Sequence, residues 1–393
     1  MADRLPMFGQ ITSHYCSLAL LAVLVAELSV ANWGQHRLGR GSAPRIESLA
    51  VLPLANEMQM KLAPQERAPL TSARPVNPEA HALYLKGRSF WNKRTKEDLA
   101  KSLDYFRQAL RKDPRCAPAY AGIADYYVAL LGRRGTSAGQ ALPLAKEAAR
   151  KALEIDENLP EGHASLGAIR FFYDWDWPGA EREFKRAVEL NPKHSTAYQW
   201  YALLLSALGR HEKAIAQIRR AEEIESDSAA VHMNAVYVYY HAGQYEQALQ
   251  HAQKELELAP NLDLAHYHLA WSYLRLDKYE QAVAELQKLR ETLRNDPGVL
   301  LALTYSYALA GNQSEAGRML SEFQKLQNRS LVSPYYLAGM YLILEKKAYA
   351  FAWLETSYAE RECWMVFLHV DPMWESLRSD PRFQDLLRRV GLP

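Results

Sequence analysis

Apolar side chains return at helical spacing through most of this chain, and from about residue 80 the pattern itself repeats. The segment HAGQYEQALQHAQKELELAP, from His241 to Pro260, is echoed by LDKYEQAVAELQ from Leu276 to Gln287. Aligning such segments places Ala180, Ala214, Ala248, Ala282, Ala316 and Ala350 at intervals of 34 residues with no slippage. Other columns keep the same ruler: Phe184, Ile218, Ala252, Leu286, Leu320 and Leu354; Ala202, Val236, Ala270, Thr304 and Ala338; Tyr239, Tyr273, Tyr307 and Tyr341. Gly209, Gly243 and Gly311 fall between the two helical stretches of their units, and Pro192 and Pro260 close units. A period of this length predicts helix pairs that bury their apolar faces only by stacking on their neighbours.

Each column has a physical reading. Where two antiparallel helices cross closely only a small side chain fits, so alanine marks the crossing and lets larger neighbours interdigitate. Glycine between the helices supplies the left-handed backbone that ends the first of them. The earlier units are less regular: Gly87, Ser102, Phe106, Ala109 and Pro114 keep their order with extra residues between helices, and the second unit carries a longer loop, GRRGTSAGQALP. The third carries FFYDWDWPGAEREF, one residue longer than the standard turn. Insertions of this kind belong in loops.

A 34-residue helix-turn-helix with small residues at these columns, tyrosine in the first helix and proline at the end resembles the tetratricopeptide repeat. The resemblance covers roughly residues 79–360 and implies an all-α fold: a right-handed superhelical solenoid of about eight helix-turn-helix units. Beyond it, residues 361–393 contain Asp371-Pro372 and Asp380-Pro381, each an acidic cap followed by proline at the first helical position. Two short helices are expected there, capping the open end of the solenoid.

RIESLAVLPLAN, NPEAHALYLKGRSFWNKRT and the carboxyl-terminal WLETSYAERECWMVFLHVDPMWESLRSDPRFQDLLRRVGLP are similar to bacterial membrane-anchored regulators, in which a winged-helix or kinase domain precedes a membrane helix, a TolB-like domain and repeats. This sequence departs from that pattern: it has no stretch for a winged helix or kinase, and the TolB-like part is reduced to its first strand, Ser48 to Ala55.

The amino terminus, residues 1–33, holds the apolar run LALLAVLVA, from Leu18 to Ala26, inside the wider window 15–33. It fits an export signal, with Ser29 and Ala31 at cleavage-type spacing, and equally a hydrophobic anchor helix. An anchor would draw Arg37, Arg40 and Arg45 to the cytoplasmic side, whereas export leaves the repeats outside the cytoplasm. A buried amphipathic helix is the third reading. Residues 34–78, with GRGSAP and SARPVNP, read as a linker.

Charge and chemistry narrow the function. The 393 residues carry a formal net charge of +2, which gives no field for nucleic acid. Cys16, Cys116 and Cys363 are too dispersed for a disulfide framework or a zinc site. Asp174 and Asp176 sit in a turn, where aspartate caps helices, and His266 and His268 are two apart on a helix, so they face away from each other. No GxSxG, HExxH, Walker A or GxGxxG occurs, so the expectation is a non-enzyme with no cofactor, no metal and no small-molecule substrate.

What remains is a surface. In tetratricopeptide proteins the first helices line a concave groove, and the resemblance places Gln199, Leu203, Met233, Tyr237, Tyr240, Tyr267, Trp271, Leu301, Tyr305 and Tyr335 along it. The strip is aromatic, with Asn234 almost alone as a polar grip. It is expected to take a peptide or helical segment of another protein through apolar and aromatic contacts, not a charged terminus. A sensor or accessory subunit of a membrane-anchored signalling or transcription-regulatory system is the alternative.

Overall fold

The computed structural model describes residues 77–131, 138–326 and 332–393, all within the compact unit Glu57–Pro393. The segments read as signal or anchor and as remnant strand lie outside the described residues. Among the described residues there is no strand, and no helix is long and apolar enough to cross a membrane.

Seventeen α-helices follow one another among the described residues. The first sixteen form eight antiparallel pairs: α1 (Pro78–Asn92) with α2 (Lys96–Lys112), α3 (Ala117–Ala129) with α4 (Ala138–Ile155), α5 (Pro160–Ile169) with α6 (Trp177–Leu190), and α7 (Ser195–Ala207) with α8 (His211–Ile224). Then come α9 (Ala229–His241) with α10 (Tyr245–Leu258), α11 (Asp263–Arg275) with α12 (Tyr279–Thr292), α13 (Pro297–Leu309) with α14 (Gln313–Lys325), and α15 (Pro334–Ile343) with α16 (Lys347–Ala359). The alanine ruler sits where predicted: Ala180, Ala214, Ala248, Ala282, Ala316 and Ala350 lie on the second helices and are essentially inaccessible. Where side chains are larger the neighbour yields: Phe106 of α2 lies between Gly87 and Gly122, and a Cβ at either glycine would come within 2.6 Å of its ring.

The ruler also governs the backbone. Gly209, Gly243 and Gly311 have φ of +70, +73 and +74°, and the positions one period away, Trp175, Asp277 and Glu345, take the same left-handed conformation at +57, +55 and +59°. Glycine is therefore dispensable at this turn, and three pairs accept a side chain with backbone strain there. The longer third unit is accommodated inside its first helix: Arg170–Asp174 winds as a π-turn after α5, and the left-handed Trp175 follows. A π-turn holds one residue more than an α-turn, so the insertion expected in a loop is absorbed in the helix itself.

Both acidic caps form. Asp371 accepts from the backbone N–H of Met373 at the start of the 3₁₀ turn Pro372–Leu377, and Asp380 accepts from that of Arg382 at the start of α17 (Pro381–Val390). The tail packs on the eighth pair: the Trp374 indole N–H donates to the Tyr335 hydroxyl at 2.7 Å, and Arg389 pairs with Glu355. It also extends well beyond that pair. Phe367, in the 3₁₀ turn Cys363–Phe367, lies 6.1 Å from the ring of Phe171, 6.2 Å from Tyr237 and 4.6 Å from His241, centroid to centroid. Arg361 reaches the carbonyl of Tyr173 at 2.8 Å. The tail thus runs along the wall of first helices and joins the eighth pair to the third and fifth, because its own apolar residues share their core.

Candidate functional site

All ten predicted groove residues lie on first helices: Gln199 and Leu203 on α7, Met233, Tyr237 and Tyr240 on α9, Tyr267 and Trp271 on α11, Leu301 and Tyr305 on α13, and Tyr335 on α15. They are not equally available. Gln199, Leu203, Leu301 and Tyr335 are buried, whereas Met233, Tyr237, Tyr240, Tyr267, Trp271 and Tyr305 are half-buried. Gln199 is held by Ser195 and accepts from the Asn234 amide at 2.8 Å, so Asn234, read as a polar grip, serves the packing of adjacent first helices. Tyr335 donates to Asp371 at 3.0 Å and accepts from Trp374, both in the tail.

Seven of the ten, Tyr237, Tyr240, Tyr267, Trp271, Leu301, Tyr305 and Tyr335, wall one cavity of about 950 Å³. First helices α9, α11, α13 and α15 supply one side, and the other is the chain itself, through Glu362, Cys363, Trp364, Phe367, Asp371 and Met373. Rings cross between the two sides: Trp364 lies 5.7 Å from Tyr237 and 5.5 Å from Tyr336, and Tyr336 stacks on Trp271 at 5.6 Å. Gln199, Leu203 and Met233 do not line this space.

Sequence reasoning passed over the polar lining. Arg275, at the end of α11, donates from Nε to the Tyr240 hydroxyl at 3.1 Å. Asp371 is buried nearby, and burial pushes its carboxyl up against the opposing pull of the Met373 N–H, the Tyr335 hydroxyl and Arg275. Burial, with His211 nearby, holds His241 down at about 3, so this wall residue is neutral at physiological pH. Burial likewise pushes the Tyr240 phenol and the Cys363 thiol above their ordinary ranges. The cavity is therefore largely aromatic, with the cations Arg275 and Arg361 and the carboxyls of Glu360, Glu362 and Asp371 in its lining.

A second polar cluster sits where the first four pairs meet. Arg88 of α1 pairs with Asp125 of α3 at 2.6 Å, both buried, and its guanidinium also donates to Thr196 of α7. The Trp91 indole N–H donates to the Asp125 carbonyl at 3.0 Å, and Arg88 and Arg94 lie 4.1 and 3.4 Å from the Trp91 ring. These partners share a spacing that the sequence carries: Arg88 to Asp125 is 37 residues, while Gln199 to Asn234 and Tyr240 to Arg275 are each 35. Polar residues slightly more than one period apart on apolar first helices meet across adjacent pairs.

The candidates for chemistry resolve into structure. Asp176 caps α6, accepting from the Gly179 N–H at 3.0 Å, and Asp174 pairs instead with Lys146 at 2.7 Å. His266 and His268 face apart as expected, His266 to Glu285 on α12 and His268 to Glu255 on α10.

Stacked helix pairs on a 34-residue ruler, with a small residue at each crossing, define this part of the chain as tetratricopeptide-type repeats. Residues 183–216 match the family described as tetratricopeptide repeat, and residues 225–289 match that described as anaphase-promoting complex, cyclosome, subunit 3. Such a scaffold is consistent with protein–protein interaction. Among curated proteins the chain is similar to the transcriptional regulator HilA of Salmonella typhimurium and of Salmonella typhi, 26% identical over 160 residues, or 40% of this chain. The match spans 29% of the length of those relatives. Among solved structures it is similar to a tetratricopeptide repeat protein from Parabacteroides merdae, with 15% identity, 70% of this chain and 99% of that one covered, and a TM-score of 0.42. A human IFIT1 dimer with m7Gppp-AAAA matches at 15% identity, covering 86% and 93% of the two chains, with a TM-score of 0.48.

Proposed function

We propose that the repeats form a non-catalytic scaffold that binds an apolar, aromatic segment of another protein along the first helices α9, α11, α13 and α15. The observation that carries this reading is the cavity of about 950 Å³, walled by seven of the residues singled out from the sequence. The tail supports it as an internal example, because Trp364 and Phe367 already seat aromatic rings against Tyr237. Arg275 is already engaged by the Tyr240 hydroxyl and by the charge of the Asp371 carboxyl, which suits an apolar occupant better than a charged terminus. A photo-reactive amino acid in place of Tyr267, with and without alanine at Tyr237, Trp271 and Tyr305, tests this in cells. A cross-linked protein partner lost in the triple variant supports the reading; no protein adduct, or an adduct indifferent to the three alanines, overturns it.

The likeness to HilA over 160 residues favours a second reading, an accessory subunit of a regulatory system tethered by residues 15–33. Recovery of the full chain in the membrane fraction with Met1 retained is its expected result, and a chain released from membranes with its amino terminus cut after Ala31 removes it.

A further inference from the structure

We propose that Glu222, His232 and His251 form a three-ligand site for a divalent transition-metal ion of the zinc, cobalt or nickel class, between the fourth and fifth helix pairs. The three residues come from α8, α9 and α10, and their ligand atoms all lie within 4.8 Å of one another. The Nδ1 atoms of His232 and His251 are 3.0 Å apart, and His251 Nδ1 is 3.3 Å from Glu222 Oε1. About an ion held at ~2.05 Å, those two separations subtend about 94° and 107°, within the range of tetrahedral and octahedral coordination; the His232-to-Glu222 separation, within 4.8 Å, closes to about 4 Å or less when the carboxylate swings onto the ion.

The surroundings orient the ligands. His232 Nε2 is 2.9 Å from the Ser226 carbonyl, an acceptor only, so Nε2 carries the proton and the Nδ1 lone pair points into the cluster. A ligating imidazole held by a carbonyl on its far nitrogen is the usual outer arrangement of a metal site. His251 stacks on Tyr239 at 5.0 Å and 9°, which limits the directions its Nδ1 can take. Glu222 Oε1 is buried without a hydrogen-bond partner, an orphaned acceptor that a cation would satisfy.

The neighbouring pairs show why this position differs. His266 pairs with Glu285 at 2.8 Å, and His163 pairs with Glu183 at 2.7 Å. One period before His266 and Glu285 stand His232 and His251, so a second imidazole takes the carboxylate's place and the carboxylate comes from the preceding pair. Without an ion His251 Nδ1–H donates to the His232 Nδ1 lone pair; an ion takes the place of that proton, His251 carrying its own on Nε2, and three electron-pair donors then converge. His251 and Glu222 keep 19 and 22% of their side chains exposed, which provides a path for the ion and leaves coordination positions for water.

The test uses the full-length chain stripped with chelator. Calorimetric titration with zinc is expected to give one tight ion per chain, and cobalt is expected to give the visible bands of a nitrogen and oxygen site. His251→Gln and Glu222→Gln should each weaken zinc at least tenfold, while His266→Gln leaves it unchanged. Wild-type protein that takes up no ion, or a His232→Gln/His251→Gln double variant that binds as well as wild type, overturns the proposal. Glu222→Gln preserves shape and decides the matter should the histidine variants fail to fold.

Discussion

Replacing Phe367 by alanine should release the tail from the wall of first helices without unfolding the repeats. Phe367 is 3% exposed and touches the rings of Phe171, Tyr237, His241 and Trp364. Removing a buried phenylalanine of this kind costs about 3–5 kcal/mol. The tail keeps its separate attachment to the eighth pair through Trp374 and Tyr335, so the loss falls on the contact with the third and fifth pairs. At about 1.4 kcal/mol per tenfold, even the lower figure raises the detached population about 150-fold. Hydrogen exchange reads this directly at the amides of Leu368, Val370 and Asp371, which bond to the carbonyls of Met365 and Phe367. Their protection should fall by about two orders of magnitude while that of α7 and α10 stays near wild type. Unchanged protection at those three amides, or an equal loss in every helix, would refute the account of the tail as a separately docked strap.

Four other outcomes follow. Gly243→Ala should destabilise by about 1–2 kcal/mol in denaturant unfolding, because φ is +73° and no atom lies within 4 Å of the added Cβ to contribute otherwise; Glu345→Gly, at the equivalent position, should stabilise by up to about 1 kcal/mol. Ala248→Leu should overpack the crossing of α9 and α10 and cost about 1–3 kcal/mol, measured the same way. Asp125→Ala removes the buried carboxylate that balances the Arg88 charge and should cost about 3–5 kcal/mol, visible as a lowered thermal midpoint. His194 and His241, held at about 3 by burial, stay neutral in the native chain while the unfolded chain takes protons below about pH 6.5. Stability should be intact above that pH and decline as pH falls toward 3, which urea titrations across the range would record.

The repeats were legible because a crossing tolerates only a small residue, and Ala180 through Ala350 record that constraint directly. The left-handed column was legible at Gly209, Gly243 and Gly311 but hidden at Trp175, Asp277 and Glu345, where residues of ordinary appearance bear the strain. The ten groove candidates all fall on first helices, yet Gln199 is taken by its neighbour and Tyr335 by the tail. Periodicity says which way a helix faces, whereas the far wall of the cavity comes from residues 361–377, which have no repeat to be read against. The polar partners Gln199 with Asn234 and Tyr240 with Arg275 had a signal in their 35-residue spacing, one residue beyond the apolar ruler. In the Glu222, His232 and His251 grouping, the two histidines follow the ruler one period before His266 and Glu285, but Glu222, on a third helix, has no spacing to be read from.

The π-turn at Arg170–Asp174 bears on how such a chain can change length. The capping positions Leu159 and His194 are 35 residues apart, but Trp175 and Gly209 are 34 apart, so the surplus is spent before the hairpin tip. The left-handed positions downstream, Gly209, Gly243, Asp277, Gly311 and Glu345, keep the 34-residue phase. Single-residue gains can thus be quarantined within one widened coil, and the stack tolerates uneven units without any neighbour having to shift to compensate.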